Sequence, residues 1–543
     1  MTDKGGYFRD NDKTERDNSL HCDYLIKGGT IIDGSAPDAE PLKADLAVKG
    51  DRIIAVGSFS NVTAEKLLDA EGYCVCPGFI DTHAHSEFTL LADGRAEGKI
   101  CQGVTTEING NCGLSAAPLY NQAFEQRQKD LEEFNIKERW NNFPEYFAIL
   151  KQRGLAVNFM TLAGHGNIRA SVMGYAGRQP QKQDMKGMLE LLRNSINSGV
   201  RGLSTGLIYP PGVYAETEEI IELAKETALH GGIYTSHMRS EGDMLLEAVE
   251  EAIRIGLESK IRVHISHLKT SGRKNWEKLK DVLKIIEEAS LKGLKISCDR
   301  YPYTAGSTDL DAVLPAWVYE GGRGEEMERL KNSEVREKIK KEIPNNKDYY
   351  DNITISSVDS EKNKWMEGKR FSDICGALGK PPLEFLFELL IEEDLRVGAI
   401  FFSMNEDNLK KILKQPYTMI GSDSSARCFN GVTAKGKPHP RGFGSFPRVL
   451  GRYVRDEGIL SIEEAVYKMS GLPAGTFGVR QRGVIAEGFF ADIAIFDPGR
   501  IKDRASFDSP FEKPDGIYYV FVNGIPALWE GELTGKLPGR IIA

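Results

Sequence analysis

No stretch of this 543-residue chain reaches the ~18 uninterrupted apolar residues that a membrane span needs. Basic charge is short as well. Seventy Lys and Arg against 79 Asp and Glu leave a formal net charge of −9, which removes the electrostatic footprint of nucleic-acid binding. The eight cysteines include no CxxC pair, so they read as cytosolic thiols, not as a disulfide framework, and point to a cytoplasmic protein. The first twenty residues, MTDKGGYFRDNDKTERDNSL, contain no apolar h-region, which argues against a secretory leader. With 41% hydrophobic and 27% charged residues, the composition excludes a collagen, a coiled-coil rod and wholesale disorder. Histidine is scarce, at nine residues, so the company each one keeps is informative.

What is present divides the chain. Residues 1–20 form a polar tail. Residues 21–76 read as short strands separated by Gly and Asp turns (DYLIKGGTIID, KADLAVKGDRIIAVG), and the same style returns over 481–543. Neither half holds enough strands for a core, so the two together are expected to build one small β-sandwich. Between them, over 77–480, short apolar strands alternate with amphipathic helices, the pattern of a parallel sheet with right-handed crossovers. Eight such units close a (β/α)8 TIM-like barrel. The chain offers nine strand-like runs, of which AIFFSM (399–404) is the weakest. Asp243 and Asn275 each precede an apolar helical stripe, and Gly199, Gly231, Gly256 and Gly293 follow helical runs where a left-handed residue is expected. A charged segment at 319–370 interrupts the rhythm and reads either as a solvated insertion or as a lid over the site.

The chemistry concentrates at strand ends. In GFIDTHAH, His83 and His85 alternate onto one strand face and form half of a metal site. His237 ends GGIYTSH, His267 ends IRVHISH, and Asp423 ends TMIGSD. A closed barrel brings such ends together on its catalytic face. His264 points away from His267 and reads as a packed residue, while His165 is open between packing and function.

These features resemble the amidohydrolase superfamily and, within it, the D-aminoacylases or N-acyl-D-amino-acid deacylases. The matching segments run in family order: PGFIDTHAHSE (77–87), GVTTEINGNCGLSAAP (103–118), GHGNIR (164–169), GLSTGLIYPPG (202–212), YTSHMRSEG (234–242), SHLK (266–269), DRYPYTAGST (299–308), IGSDS (420–424) and HPRGFGSFPRVLGRYVR (439–455). The resemblance implies that Cys112 of GNCG takes the place of a bridging carbamylated lysine, and a thiolate suits Zn²⁺. It implies one tight zinc on Cys112, His237 and His267, and a second, weaker site on His83, His85, Cys112 and Asp423. It also implies hydrolysis of N-acyl-D-amino acids by a metal-activated hydroxide, with Asp423 as general base and acid. Lys269, Tyr301, Ser307 and Arg441 would bind the substrate's carboxylate. Cys74, Cys76, Cys101 and Cys298 read as core residues. The apolar run TDLDAVLPAWV (308–318) mildly favours an apolar side chain on the substrate, and Asp309 and Asp311 would repel an acidic one.

Two alternatives stand beside this reading. A cyclic-amide hydrolase of the dihydroorotase or hydantoinase kind would need a bridging lysine that RGLSTGLIYPPG lacks. An inactive scaffold would have lost ligands that this chain keeps. The expected partner is a small molecule, with neither nucleic acid nor membrane, and the oligomeric state is open.

Overall fold

The computed structural model describes residues 20–344 and 346–543, so the expected polar tail lies outside the described residues except for Leu20. Strands and helices alternate from residue 79 onward, giving a mixed α/β architecture. Parallel pairing links Phe79–Asp81 to Val104–Asn109 and that strand to Asn158–Thr161. A second parallel set starts at Ala163–Gly164 and continues through Gly202–Gly206, Ile233–His237, Arg262–Ile265, Ile296–Arg300 and Thr418–Ile420. Leu162 alone separates the two sets on one side. On the other, a parallel bridge joins Ala84 to Ser424, and the Asp423 amide donates to the His83 carbonyl at 2.8 Å. The ends of the first and last strands therefore meet, which is what gathers the histidines and Asp423.

The helices pack outside by burying one stripe each. In Leu245–Ser259 the buried residues Leu245, Val249, Ala252, Ile253 and Gly256 recur at helical spacing. Gly199, Gly231 and Gly293 take positive φ as expected, but Gly256 does not end its helix. It lies inside, where a Cβ would meet Val263 at 2.4 Å, and Lys260 is the left-handed terminator. Asp243 lies just before this helix and Asn275 within the 3-10 turn Arg273–Lys278, and Asn275 Nδ2 donates to Asp243 Oδ1 at 3.1 Å.

The strands from both ends of the chain do meet, through Cys74–Pro77 paired antiparallel with Ile493–Phe496. They form one continuous nine-stranded sheet among the described residues, and its two halves face each other where Tyr24 packs on Phe521 and Trp529, with ring centroids 5.1 and 6.0 Å apart. The long strand Leu20–Ile31 makes this possible: it pairs with Val62–Asp69 up to Lys27, shifts register between Ile26 and Gly29, and then pairs with Cys74–Pro77. A bulge of this kind bends a strand and re-aims its pairing. The last residues leave the sheet, since Pro538 and Ile541 bridge to Leu155 and Phe159.

The charged segment 319–370 is part of a larger unit. Gly306–Asp309, Gly398–Phe401 and Ile353–Ser357 form a separate antiparallel sheet, so the AIFFSM strand belongs here and not among the parallel strands. A core of its own, including Leu310, Leu330, Ile339, Ile355, Phe371, Leu386 and Leu390, holds the unit together. Leu310, Leu314 and Val318 are buried in that core, so these residues of the apolar run after Ser307 pack the insertion.

Candidate metal centre and active site

Cys112 sits at the middle of the gathered strand ends. Its Sγ lies 3.3 Å from His83 Nε2 and 3.5 Å from His267 Nε2. His85 Nε2 is 3.3 Å and His83 Nε2 3.5 Å from Asp423 Oδ1. The rings of His237 and His267 stand nearly perpendicular with centroids 4.3 Å apart. Three donor groups emerge with ligand atoms mutually within 4.8 Å: His83, Cys112 and His267; His83, His85 and Asp423; and His237, Glu241 and His267.

Backbone geometry aims these side chains. Cys112, His267 and Asp423 all adopt left-handed φ, at 54°, 36° and 51°. Non-glycine residues rarely do so, and such strain persists where the surroundings over-determine it. For Cys112 the surroundings are glycines. Gly113 has φ 74°, and a Cβ on it would meet the Gly206 nitrogen at 2.7 Å. A Cβ on Gly206 would lie 2.1 Å from the Cys112 carbonyl oxygen. The GNCG turn is thus pressed backbone to backbone against the strand Gly202–Gly206, and the Gly113 amide donates to Ser204 Oγ at 3.1 Å.

Buried carboxylates hold these side chains from behind. Asp299 accepts at Oδ2 from His83 Nδ1 (3.1 Å) and His264 Nε2 (2.7 Å), and at Oδ1 from the His267 amide (2.8 Å). That leaves Nε2 of His83 facing Cys112, the usual way a second partner fixes a ligand imidazole. Asp81 accepts from the amides of His83 and Ser422 and from Lys99 Nζ at 2.6 Å. Lys99 is wholly buried; it also reaches Glu107 at 2.9 Å, Ser422 Oγ at 2.9 Å and the Ser424 carbonyl at 3.0 Å, thereby straddling Asp423. Glu241 Oε1 accepts from His267 Nδ1 at 2.9 Å and is paired with Lys269.

The chemistry of this set fits zinc. All eight cysteines are free and buried. Burial pushes the thiols of Cys74, Cys101 and Cys298 up to about 12. Burial also pushes Cys112 up, but the imidazoles of His83, His267 and His237 outweigh it and hold this thiol well below its usual range. Neither ring nitrogen of buried His237 has a hydrogen-bond partner. A thiolate among imidazoles, one of them with orphaned nitrogens, is a soft donor set suited to Zn²⁺.

Beside the centre lies a cationic wall. Tyr301 is buried beneath Arg300, Arg441 and Lys269, whose charges stand 4.3, 4.7 and 5.9 Å from its ring centroid. Burial pushes the Tyr301 phenol up, but Lys269, Arg300 and Arg441 outweigh it and leave it below the usual range. Arg441 Nη1 lies 2.8 Å from Asp423 Oδ2, and its Nη2 donates to the Ser307 carbonyl at 3.2 Å. Burial pushes Asp423 up, but Arg441, His267 and His83 hold its carboxyl well below the carboxylate range. The Ser307 hydroxyl turns away to the Ala399 carbonyl at 3.0 Å, so only the Ser307 backbone faces this wall.

His165 packs: its Nε2 lies 2.7 Å from Glu219, which also takes Arg169. Reading the sequence missed Glu241, Asp299, Asp81 and Lys99 as parts of the site. Glu241 carried a signal, since it follows His237 by four residues; Lys99 carried none.

Residues 66–527 match the Amidohydrolase family, and the chain belongs to that family, in its branch of D-aminoacylases and N-acyl-D-amino-acid deacylases. It is 39% identical over 523 residues to a D-aminoacylase of Alcaligenes xylosoxydans xylosoxydans, covering 96% of this chain and 97% of that one. It is 34% identical to an N-acyl-D-aspartate deacylase of the same organism, covering 97% and 96%. A solved N-acyl-D-glutamate deacylase from Bordetella bronchiseptica, complexed with zinc and a phosphonate inhibitor, superimposes with a TM-score of 0.82 at 33% identity, covering 97% and 100%.

Proposed function

We propose that this protein hydrolyses the amide bond of N-acyl-D-amino acids to a carboxylate and a free D-amino acid, in a zinc-dependent reaction. The observation that carries the reading is the position of Asp423. One oxygen touches the imidazoles of His83 and His85, and the other touches Arg441. In an N-acyl amino acid the scissile carbonyl and the α-carboxylate flank the nitrogen that must leave. A carboxylate between a metal centre and a carboxylate-binding cation therefore stands beside that nitrogen.

Cys112, His237 and His267 would hold the tight zinc, with His83, His85, Cys112 and Asp423 forming the weaker site. Bound zinc supplies a Lewis acid for the acyl carbonyl and lowers the pKa of water from about 15.7 toward 7. Asp423 takes the proton of the attacking water and delivers it to the amide nitrogen, which leaves only when protonated. Arg441, Lys269 and Tyr301 grip the α-carboxylate, Arg441 in a form suited to bidentate contact. The parallel strands are read as a (β/α)8 barrel over about 77–480, attached to a small β-domain made from 21–76 and 481–543. The insertion walls the mouth of the site, since the Ser307 carbonyl accepts from Arg441 and Thr308 Oγ1 lies 3.3 Å from the Tyr209 hydroxyl. The eight free, buried thiols support cytoplasmic residence.

The test is amine release from paired N-acetyl-D- and N-acetyl-L-Met, Leu, Phe and Glu, with zinc quantified on the same sample. D-only turnover that Cys112→Ala abolishes is the expected result. Bound zinc without turnover of either series would redirect the assignment to cyclic amides. Neither zinc nor turnover would favour an inactive scaffold.

A further inference from the structure

The least expected member of the centre is Glu241. Its Oε1 atom is shared by His267 Nδ1, at 2.9 Å, and by the Lys269 ammonium, while His237 Nε2 lies 3.7 Å away. Lys269 Nζ also lies only 2.8 Å from His267 Nδ1. That triangle poses a tautomer problem. An ammonium has donors only, so a direct bond between it and Nδ1 requires Nδ1 to be the acceptor. The ring proton would then sit on Nε2, the nitrogen that faces Cys112 Sγ at 3.5 Å. A protonated Nε2 cannot donate to a metal. An ionised carboxylate resolves the competition, because it accepts from Nδ1–H and from the ammonium at once. Neither donor then has to be satisfied at the expense of the other.

We propose that Glu241 is a positioning residue that holds His267 in the Nδ1–H tautomer, keeping Nε2 open for zinc, and that fixes Lys269 relative to that imidazole. The inference rests on the proposed function for the role of Lys269 in gripping substrate. One oxygen atom then sets the spacing between the metal side of the site and the cation for the α-carboxylate. It explains why a glutamate is buried beside two imidazoles and a lysine, and why Lys269 can approach a metal-facing histidine so closely without displacing it.

The test compares Glu241→Gln, Lys269→Met and the double variant in the full chain. Zinc affinity is read by chelator competition, without substrate. Glu241→Gln should weaken zinc about 10–100-fold, the usual cost of losing a partner behind a metal ligand. Lys269→Met should change zinc affinity less than about threefold while raising KM for N-acetyl-D-amino acids. The double variant should regain most of the lost zinc affinity: in Glu241→Gln the ammonium draws the single amide oxygen and leaves the NH2, a donor, toward Nδ1, whereas with the ammonium gone that oxygen can turn to accept from Nδ1–H. A purely structural glutamate gives no such recovery. Zinc affinity within twofold of wild type in Glu241→Gln, or no recovery in the double variant, overturns the proposal. If Glu241→Gln fails to fold, judged by circular dichroism, the double variant and Glu241→Asp decide on the same readout, with weaker zinc in Glu241→Asp than in the double variant required. Wild-type chain that binds zinc but turns over no N-acyl-D-amino acid would fail the proposed function alone and leave the zinc series to judge Glu241.

Discussion

Replacing Gly206 by alanine adds one methyl group, and its effect follows from a single distance. The new Cβ would stand 2.1 Å from the Cys112 carbonyl oxygen, 2.8 Å from the carbonyl carbon and 2.9 Å from the Tyr209 ring. Real Cβ atoms essentially never come closer than 3.0 Å to such an atom, so the Cys112 backbone must retreat by about 0.9 Å or more. Cys112 already holds a left-handed φ of 54°, and its neighbours leave little slack, since a Cβ on Gly164 would meet the Gly113 carbonyl at 2.5 Å. The sulfur must therefore move relative to His83 and His267. Metal–ligand distances hold within about 0.2 Å, and a misplacement of about 1 Å can cost ~10²-fold in rate. Gly206→Ala should thus lose most bound zinc and at least ~10²-fold in kcat/KM, with circular dichroism unchanged. Gly376→Ala is the control, because a Cβ there meets nothing within 4 Å. Zinc content and activity at wild-type level in Gly206→Ala would refute the claim that this backbone contact seats Cys112.

Three further outcomes are expected. Asp423→Asn should reduce kcat by ~10²–10⁴-fold, the range for loss of a positioned proton carrier, as measured by steady-state amine release. Lys99→Met leaves Asp81 and Glu107 facing each other without their cation and should lower unfolding free energy by about 3–5 kcal/mol in urea; adding Glu107→Gln should return part of that. Burial lowers buried Lys468 from 10.5 to about 8. Below pH 8 both states carry the charge and the folded state bears its desolvation; between 8 and 10.5 the unfolded chain binds more protons, so stability rises with pH by up to about 3 kcal/mol. Lys468→Gln should flatten that rise in denaturant titrations at pH 7.5 and 10.

The parts legible in the sequence share a physical reason. His83 and His85 were readable because strand side chains alternate, and His237, His267 and Asp423 because they end apolar runs; the structure gathers all five beside Cys112. Cys112 itself was indicated by resemblance, for eight buried cysteines look alike until their neighbours are known. Asp299 and Lys99 were not legible as site residues, and Glu241 was signalled only by its spacing from His237. A charge buried against a partner from a distant segment has the same local pattern as a charge in solvent: Lys99 pairs with residues near 81, 107 and 422–424. The insertion misled for the complementary reason. Its charges are conspicuous over 319–370, while the core beneath them is assembled from both sides of that stretch.

The sheet shared by the two ends of the chain has a consequence at the ribosome. Cys74–Pro77 emerges early, but its antiparallel partner Ile493–Phe496 is made more than 400 residues later. At ~5–20 residues per second, an unpaired strand edge waits on the order of 20–80 s for its neighbour. An open edge, here Cys74, Val75 and Cys76, is a template for foreign strands. Shielding of residues 74–77 during elongation should therefore raise the yield of native protein, and slower translation of the central segment should increase dependence on chaperones even though no residue of the active site is affected.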